Sequence, residues 1–234
     1  RLLNIDLGGL EKFDELPQMT CSPVVAYIPI QEGCNHCCTY CIVPYTRGRE
    51  VSRPYDDIMR DVAHAANTGA IEICFLGQNV NGYKYTDENG TLWRLSDLIR
   101  ATAKLDAIKR IRFTSSYPTE MTDDLIEMFA IEPKLLPFLN MPIQSGSPDV
   151  LTRMNRPYSL NLYIDIVDKL RRARPDIQIS SDFIVGFPGE TDDDFDQTMQ
   201  IAKQIKYINS YSFKYSPRPH TAAALMPDQI PENI

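Results

Sequence analysis

No apolar run in this sequence of 234 residues approaches the roughly 18 residues of a membrane-crossing helix, and nothing at its N-terminus resembles a secretion signal. No Gly-x-Gly-x-x-Gly follows the first apolar run, so the turn of a dinucleotide-binding fold is missing. Basic residues are in the minority. With 24 Lys and Arg against 31 Asp and Glu, net −7, bulk charge does not attract nucleic acid, and phosphate could be met only where basic groups concentrate locally. The six cysteines are clustered instead of spread, which argues against a secreted disulfide scaffold and for metal binding in a reducing compartment, with the cytoplasm expected. Beginning at Arg1, the chain is expected to be a fragment.

What is present is ordinary globular material, 43% hydrophobic and 24% charged, enough to bury a sizeable core. Four of the six cysteines fall in Gly33-Cys34-Asn35-His36-Cys37-Cys38-Thr39-Tyr40-Cys41. Three chemistries suit that density. A zinc knuckle would pair Cys34 with Cys37 and Cys38 with Cys41, although zinc sites usually draw two pairs from separated segments. An electron carrier of the ferredoxin kind would want four cluster cysteines. Taking Cys34, Cys38 and Cys41 gives C-x3-C-x2-C, three thiolates for a [4Fe–4S] cluster with one iron left open. Cys37 is then a surplus thiol, and His36 a neighbour of the ligands. Cys21 and Cys74 read as small core residues and His64 as structural.

Along the chain, residues 1–23 read as an arm or interdomain linker punctuated by Gly8-Gly9, Pro17 and Pro23. A buried-strand pattern at Val24–Ile30 opens an alternation of strands and helices. Strands are expected at 71–76, 110–113, 138–143, 177–185 and 208–214. Helices are expected after Pro54, around 95–99, around 125–129, near 148–154, across Tyr163–Leu170, and after Thr191. Residues 81–91 read as a polar loop with a turn at Asn89-Gly90. Six such units predict an α/β fold with parallel strands, an incomplete (β/α)6 TIM-like barrel over 24–222 followed by a linker at 223–234. Ligands of such folds bind at the carboxyl ends of the strands. There the sequence places the cysteine loop, Gly77-Gln78-Asn79, Ser115-Ser116, Gln144-Ser145-Gly146-Ser147, Asp182 with Gly186, and Arg218-Pro219-His220.

C-x3-C-x2-C after the first strand of such a barrel, with Tyr40 before the last cysteine, resembles the radical S-adenosylmethionine (SAM) superfamily. Narrower motifs resemble its methylthiotransferases, most closely the MiaB-type enzymes that act on tRNA. These are Gln31–Asn35, Val43–Pro54, Leu76–Val80, Pro142–Ser147 with Met154-Asn155-Arg156, and Ser181–Thr191. The resemblance implies a [4Fe–4S] cluster on Cys34, Cys38 and Cys41 whose open iron takes S-adenosylmethionine. The reduced cluster delivers an electron to the sulfonium, and the resulting 5′-deoxyadenosyl radical abstracts a hydrogen. It also implies that Gly77, Gln78 and Asn79 meet the methionine amino group through backbone carbonyls. Ser116, Gln144 and Arg156 are candidates for the ribose or the methionine carboxylate. Adenine packs near Phe183 to Gly186, with Asp182, Ile184 and Gly186 in the altered motif and Glu190 one residue late.

The implied reaction is C2 methylthiolation of N6-isopentenyladenosine beside the tRNA anticodon, by a monomer served by a reducing electron-transfer protein, with no membrane. Arg47, Arg49 and Arg53 follow the cluster loop, and Arg218 and His220 end the last strand, which could form a local basic mouth. Tyr45 and Tyr83 are candidates to stack an extruded base. Related RimO-type enzymes, which modify an aspartate of a ribosomal protein, are the alternative within the family. A non-catalytic zinc or electron-transfer module is the alternative outside it. The resemblance further implies a preceding domain with an auxiliary cluster and a following TRAM domain for RNA, neither recognisable in the sequence.

Overall fold

The computed structural model describes Phe13 and residues 24–231. The rest of the expected arm, with Gly8-Gly9 and Cys21, and the last three residues of the expected C-terminal linker lie outside these. The described residues divide into two compact units. The first comprises Phe13, residues 24–35, Val43–Ser115 and Ile131–Leu136. The second comprises His36–Ile42, Ser116–Ala130 and residues 137–231.

In chain order the first unit holds β1 (Val25–Pro29), β2 (Gln31–Glu32), α1 (Val43–Thr46), β3 (Val51–Ser52), α2 (Tyr55–Asn67), β4 (Glu72–Leu76), β5 (Lys84–Thr86), β6 (Leu92–Arg94), α3 (Leu95–Ala103) and β7 (Arg110–Phe113). Its main sheet is parallel, in the order β1-β4-β7. β4 is the middle strand, so Ile73, Cys74 and Phe75 are buried on both faces, as the continuous apolar run predicts. Glu72 is the polar exception. Its carboxylate accepts from Arg110 Nε at 2.7 Å and Arg112 Nε at 2.6 Å, and these pairs outweigh its burial and hold its pKa below the ordinary value. α2 buries Ile58, Val62 and Ala65, one face at helical spacing.

The stretch 81–91 departs from the loop reading, because β5 and β6 pair as an antiparallel hairpin with Tyr85 opposite Trp93. The turn at Asn89-Gly90 is there, Gly90 at φ +82°. Asp87 organises it by accepting from the N–H groups of Asn89 (2.9 Å) and Thr91 (2.8 Å) and from Trp93 Nε1 (3.0 Å). Strands of three residues are too short to show alternation in sequence.

The second unit holds α4 (Asp123–Ile131, except its last residue), β8 (Phe138–Asn140), α5 (Pro148–Arg153), α6 (Leu160–Ala173), β9 (Gln178–Val185), α7 (Asp192–Ile205) and β10 (Asn209–Lys214). Its sheet is parallel, in the order β10-β9-β8. β8 stops at Asn140, short of the expected Ile143, since Pro142 has no N–H to donate; a single bridge from Gln144 to Phe183 resumes the pairing. α6 buries Tyr163, Ile166, Val167 and Leu170 as its spacing predicts. α7 begins at the Thr191 cap with a full capping box to Asp194. Phe195 and Met199 of α7 are exposed, however, and the buried face carries Asp194, Thr198, Ile201 and Ile205. Hydrogen bonds from Ser147 to Asp194 and from Gly146 N–H to Thr198 Oγ1 (2.9 Å) fix that rotation. Gly146 tolerates the contact because a Cβ there would lie 2.5 Å from Thr198 Cα. Among the described residues no helix is long and apolar enough to cross a membrane.

Candidate active site

In the first unit the residues after β4 brace the chain entering the cysteine loop. Gly33 takes φ +80°, and a Cβ on it would lie 2.2 Å from Arg49 O, so only glycine fits between β2 and the arginine segment. Its N–H donates to Gln78 Oε1 at 2.6 Å, and Cys34 N–H donates to Gly48 O at 3.3 Å. Asn79 is buried, its N–H donating to Gln31 Oε1 at 3.0 Å and its Nδ2 to Glu50 Oε2 at 3.3 Å. The side chains of Gln78 and Asn79 therefore hold protein, and a ligand would meet Gly77-Gln78-Asn79 through the backbone.

Two residues expected at a basic, base-stacking mouth are elsewhere. Arg53 is 6% exposed, bonded to Pro29 O at 2.8 Å and paired with Asp61 at 2.9 Å. Tyr83 is 1% exposed and donates to Arg53 O at 2.9 Å. Pro54 precedes α2 here, and Arg53 just before it is drawn into the core. Tyr45, Arg47 and Arg49 are exposed, with Arg47 at 3.4 Å from Glu32.

The second unit holds the rest of the loop, His36–Ile42. Three consecutive bonds clamp it to the turn after α5: Asn155 Nδ2 to Cys37 O (2.8 Å), Thr39 N–H to Met154 O (3.0 Å), and Thr39 Oγ1 to Arg153 O (2.8 Å). Ala223 N–H adds a fourth, to Thr39 O at 2.9 Å. Cys38 and Cys41 are half-buried thiols, as is Cys34 in the first unit, and Cys37 is exposed. Asn155 adopts φ +55°, a left-handed conformation that asparagine tolerates better than most residues.

Arg156 is the centre of this region. It is 5% exposed, and its Nη1 donates to Tyr40 OH at 3.1 Å and lies 3.8 Å from Cys38 Sγ. Nη2 donates to Pro142 O at 2.6 Å and Nε to Tyr158 OH at 2.5 Å. The guanidinium carbon stands 4.7 Å from the Tyr117 ring centre and 5.2 Å from that of Tyr158, with the two rings edge to face. Each of its three nitrogens donates to protein, so the carboxylate or ribose contact expected of it would fall to the remaining N–H of the fork. Burial pushes the Tyr40 phenol well above its ordinary pKa, with Arg156 opposing, so the phenol stays neutral. His36 stacks on Tyr117 at 3.6 Å and 8°, with Nε2 at 3.9 Å from Glu120.

The remaining expected residues also lie in this unit. Ser116 is buried, and its Oγ has no hydrogen-bond partner among the described residues. Gln144 is half-buried at φ +77°, its backbone paired with Asp182 O and Ile184 N–H. Burial raises the Asp182 pKa, and an Asn140 hydrogen bond and the Arg156 charge offset part of that rise. Ile184 and Tyr40 pack on one apolar cluster of Val150, Met154, Phe187 and Ala223. Glu190 Oε2 accepts from the N–H groups of Gly186 and Phe187, a structural task that closes the turn after β9. Gly186 and Glu190 line a cavity of about 1060 Å³ with Lys214, Tyr215 and Ile230, whereas Asp182 and Ile184 do not. Arg218 and His220 are exposed beyond β10.

Tyr117 and Tyr158 went unsuggested by the motifs. The aromatic two residues after Arg156 was the available signal for Tyr158.

The chemistry of the donor set suits a cluster. A cubane cluster places its ligands on separate irons, and half-buried thiols with a guanidinium at one sulfur suit its thiolates. The orphaned Ser116 hydroxyl suits a polar cofactor atom.

The family description Radical SAM superfamily matches residues 28–202. The chain is 50% identical over 233 residues to the tRNA-2-methylthio-N(6)-dimethylallyladenosine synthase of Vibrio parahaemolyticus, covering 100% of this chain and 49% of that protein. It is 49% identical over 234 residues to the protein of the same name from Rickettsia bellii, covering 100% of this chain and 52% of that one. The chain thus spans about half the length of these curated relatives. Among solved structures, the radical S-adenosylmethionine methyltransferase TsrM from Kitasatospora setae with cobalamin and [4Fe-4S] cluster bound aligns with TM-score 0.68 at 16% identity, covering 86% of this chain and 38% of that one. Coproporphyrinogen III oxidase from Escherichia coli, a radical SAM enzyme, aligns with TM-score 0.61 at 18% identity, covering 90% and 47%. These likenesses show the fold, the α/β core with parallel strands of radical SAM proteins, an incomplete TIM-like barrel.

Proposed function

The chain belongs to the radical SAM superfamily, and from that premise we propose that it is the catalytic core of a tRNA methylthiotransferase acting at C2 of an N6-dimethylallyladenosine. Cys34, Cys38 and Cys41 hold a [4Fe–4S] cluster with one open iron, and Cys37 stays outside it. The observation that carries this reading is the clamped loop: residues 153–156 fix Cys37 to Thr39 from one side and set a buried cation against Cys38 Sγ. The substrate assignment draws its support from the relatives that match the entire chain.

When bound, the cluster and S-adenosylmethionine supply one-electron cleavage of a sulfonium and hydrogen abstraction; the chain positions them. Arg156 offsets thiolate charge at Cys38 and fixes the Tyr40 ring. The neutral Tyr40 phenol adds no charge beside the thiols. The backbone of Gly77-Gln78-Asn79, held at Asn79 N–H by Gln31, receives the methionine amino group. Ser116 offers its unused hydroxyl to the ribose or carboxylate, and Gln144 reaches the same ligand. Ile184 and Gly186 bear on the adenine from β9. Tyr45, Arg47, Arg49, Arg218 and His220 are exposed groups for RNA.

Other parts of the reading concern the whole protein. An auxiliary cluster and an RNA-binding domain lie outside this chain, a reducing protein partner delivers the electron, and the setting is the cytoplasm. The assembly is monomeric.

Anaerobic reconstitution of the intact protein with iron and sulfide tests the chemistry. Visible-range cluster absorption and 5′-deoxyadenosine after reduction are expected; zinc uptake with neither would end the enzyme reading. Nucleoside mass spectrometry after deleting the gene tests the substrate, since unchanged methylthioadenosine in tRNA would sink it.

A further inference from the structure

In the sheet β8-β9-β10, the face that carries Ile184, already set against the adenine, extends onto β10, where no function has been assigned so far. Register sets its members. Asn140 pairs with Ser180, Ser180 with Asn209, Asp182 with Tyr211, and Ile184 with Phe213. Paired residues of a parallel ladder, and residues two apart on one strand, share a face. Asn140, Ser180, Asp182, Ile184, Tyr211 and Phe213 therefore lie on the same side. The opposite side of β9 carries buried Ile179, Ser181 and Phe183.

On the first side the polar residues are knit together. Asn140 Nδ2 donates to Ser180 Oγ at 3.1 Å, and Asn140 also bonds to Asp182. The aromatics are open: β10 is an edge strand, and Tyr211 and Phe213 are 58% and 56% exposed. Two large aromatic side chains two positions apart on an exposed strand are costly to leave in water, and isolated surface residues seldom repeat on one face. The strand rise sets them about 6.6 Å apart. That is roughly twice the 3.4 Å separation of stacked bases, the gap that one flat base fills. Asp182 lies about 4.8 Å from Tyr211 across the ladder.

This face is continuous with the cysteine site. Ile184 on it packs with Tyr40 on one cluster, and Asp182 feels the charge of Arg156, which touches Cys38 Sγ.

We propose that Tyr211 and Phe213 form the stacking platform for the extruded target purine, and that Asp182 accepts the hydrogen on its N6. The chemistry fits a purine with an apolar N6 substituent. Its flat rings bury the two aromatics, and its single N6–H is a donor matched to a half-buried carboxyl already steadied by Asn140. The assignment rests on the tRNA reading above and adds residues to it.

Binding and turnover of the intact holoenzyme test it. The probes are synthetic anticodon hairpins carrying N6-dimethylallyladenosine, adenosine, or purine riboside without the exocyclic nitrogen, at the same position and fixed salt. Tyr211→Ala and Phe213→Ala are each expected to weaken the prenylated hairpin by roughly tenfold or more, while Tyr211→Phe and Phe213→Tyr, which keep a ring, restore most of it. Removing the exocyclic nitrogen should cost the wild type affinity and cost Asp182→Ala nothing further. Ser212→Ala, on the opposite face of the same strand, controls for strand disruption, and an equal loss there would overturn the platform. A wild type that methylthiolates the prenylated hairpin while both alanine variants match it overturns the inference alone. A wild type that leaves every hairpin unmodified overturns the functional reading, and the inference with it.

Discussion

Arg156 Nη1 lies 3.8 Å from Cys38 Sγ while the same guanidinium bonds Tyr40, Tyr158 and Pro142. A cation so enclosed would act on a cluster-bound Cys38 in two ways, by orienting the loop and by offsetting charge at the sulfur. Removing it leaves the Pro142 carbonyl and the tyrosine hydroxyls without their donor. Arg156→Gln is expected to destabilise the protein by about 3–5 kcal/mol, the cost of breaking a buried charged network. Arg156→Lys should recover little, because an ammonium cannot span these acceptors as a planar fork does. Urea unfolding measures the first effect. A reductive titration of the reconstituted cluster measures the second, with the potential of any cluster that forms expected to move to more negative values. A variant of unchanged stability and potential would reduce Arg156 to a bystander.

The cysteines separate by burial and by what holds their backbone. Cys38 follows a peptide bonded to Asn155 and precedes one bonded to Met154, whereas the Cys37 side chain is exposed. Cys34→Ala, Cys38→Ala and Cys41→Ala should each abolish visible cluster absorption and iron retention. Cys37→Ala should preserve both. An equal loss from Cys37→Ala would point to a four-thiolate centre instead.

Much of this was legible because the signals were long. Six strands and the helices Tyr55–Asn67, Leu160–Ala173 and Asp192–Ile205 follow from runs and spacings that tertiary contacts do not override. Thr191 could be read as a cap from its own residue type. The role of Arg156 could not. An arginine beside a proline reads as a surface group or a carboxylate binder, and its burial depends on Tyr40 and Tyr117 arriving from segments far from it in sequence. Arg53 and Tyr83 misled for a similar reason, since neither burial nor the bond between them has a local signature. Phe195 and Met199 show the converse: their spacing marks a helix face, and only the Asp194 and Thr198 hydrogen bonds determine which face turns inward.

Gly33 stands between β2 and Cys34, the first of the proposed cluster cysteines. Gly33→Ala must place a methyl group 2.2 Å from Arg49 O and keep φ at +80°. Overpacking against backbone and a left-handed alanine together predict a loss of about 2 kcal/mol or more. Displacement of the loop should lower iron uptake as well. Gly69→Ala provides the comparison, because its φ is +103° with nothing within 4 Å of an added Cβ. If Gly33→Ala lost no more stability than Gly69→Ala in urea unfolding, the close approach would not matter.

Two carboxyls in the second unit should give the protein opposite pH dependences. Burial works against ionisation of Asp194, but the Ser147 hydroxyl and the Thr191 N–H and hydroxyl outweigh it, so its pKa falls below the ordinary 3.8. A depressed carboxyl contributes stability above its unfolded pKa and loses it as pH falls through the folded value. Burial raises Glu190 above the ordinary 4.5 despite the N–H bonds from Gly186 and Phe187. Its contribution is full below the unfolded pKa and is lost as pH rises through the raised one. The stability gap between wild type and Asp194→Asn should therefore shrink as pH falls below the ordinary aspartate value. Relative to Glu190→Gln, the wild type should instead lose ground as pH rises above the ordinary glutamate value. Urea unfolding midpoints at fixed ionic strength, from about pH 3 to pH 7, provide the measurement; curves for both variants parallel to the wild type would refute both assignments.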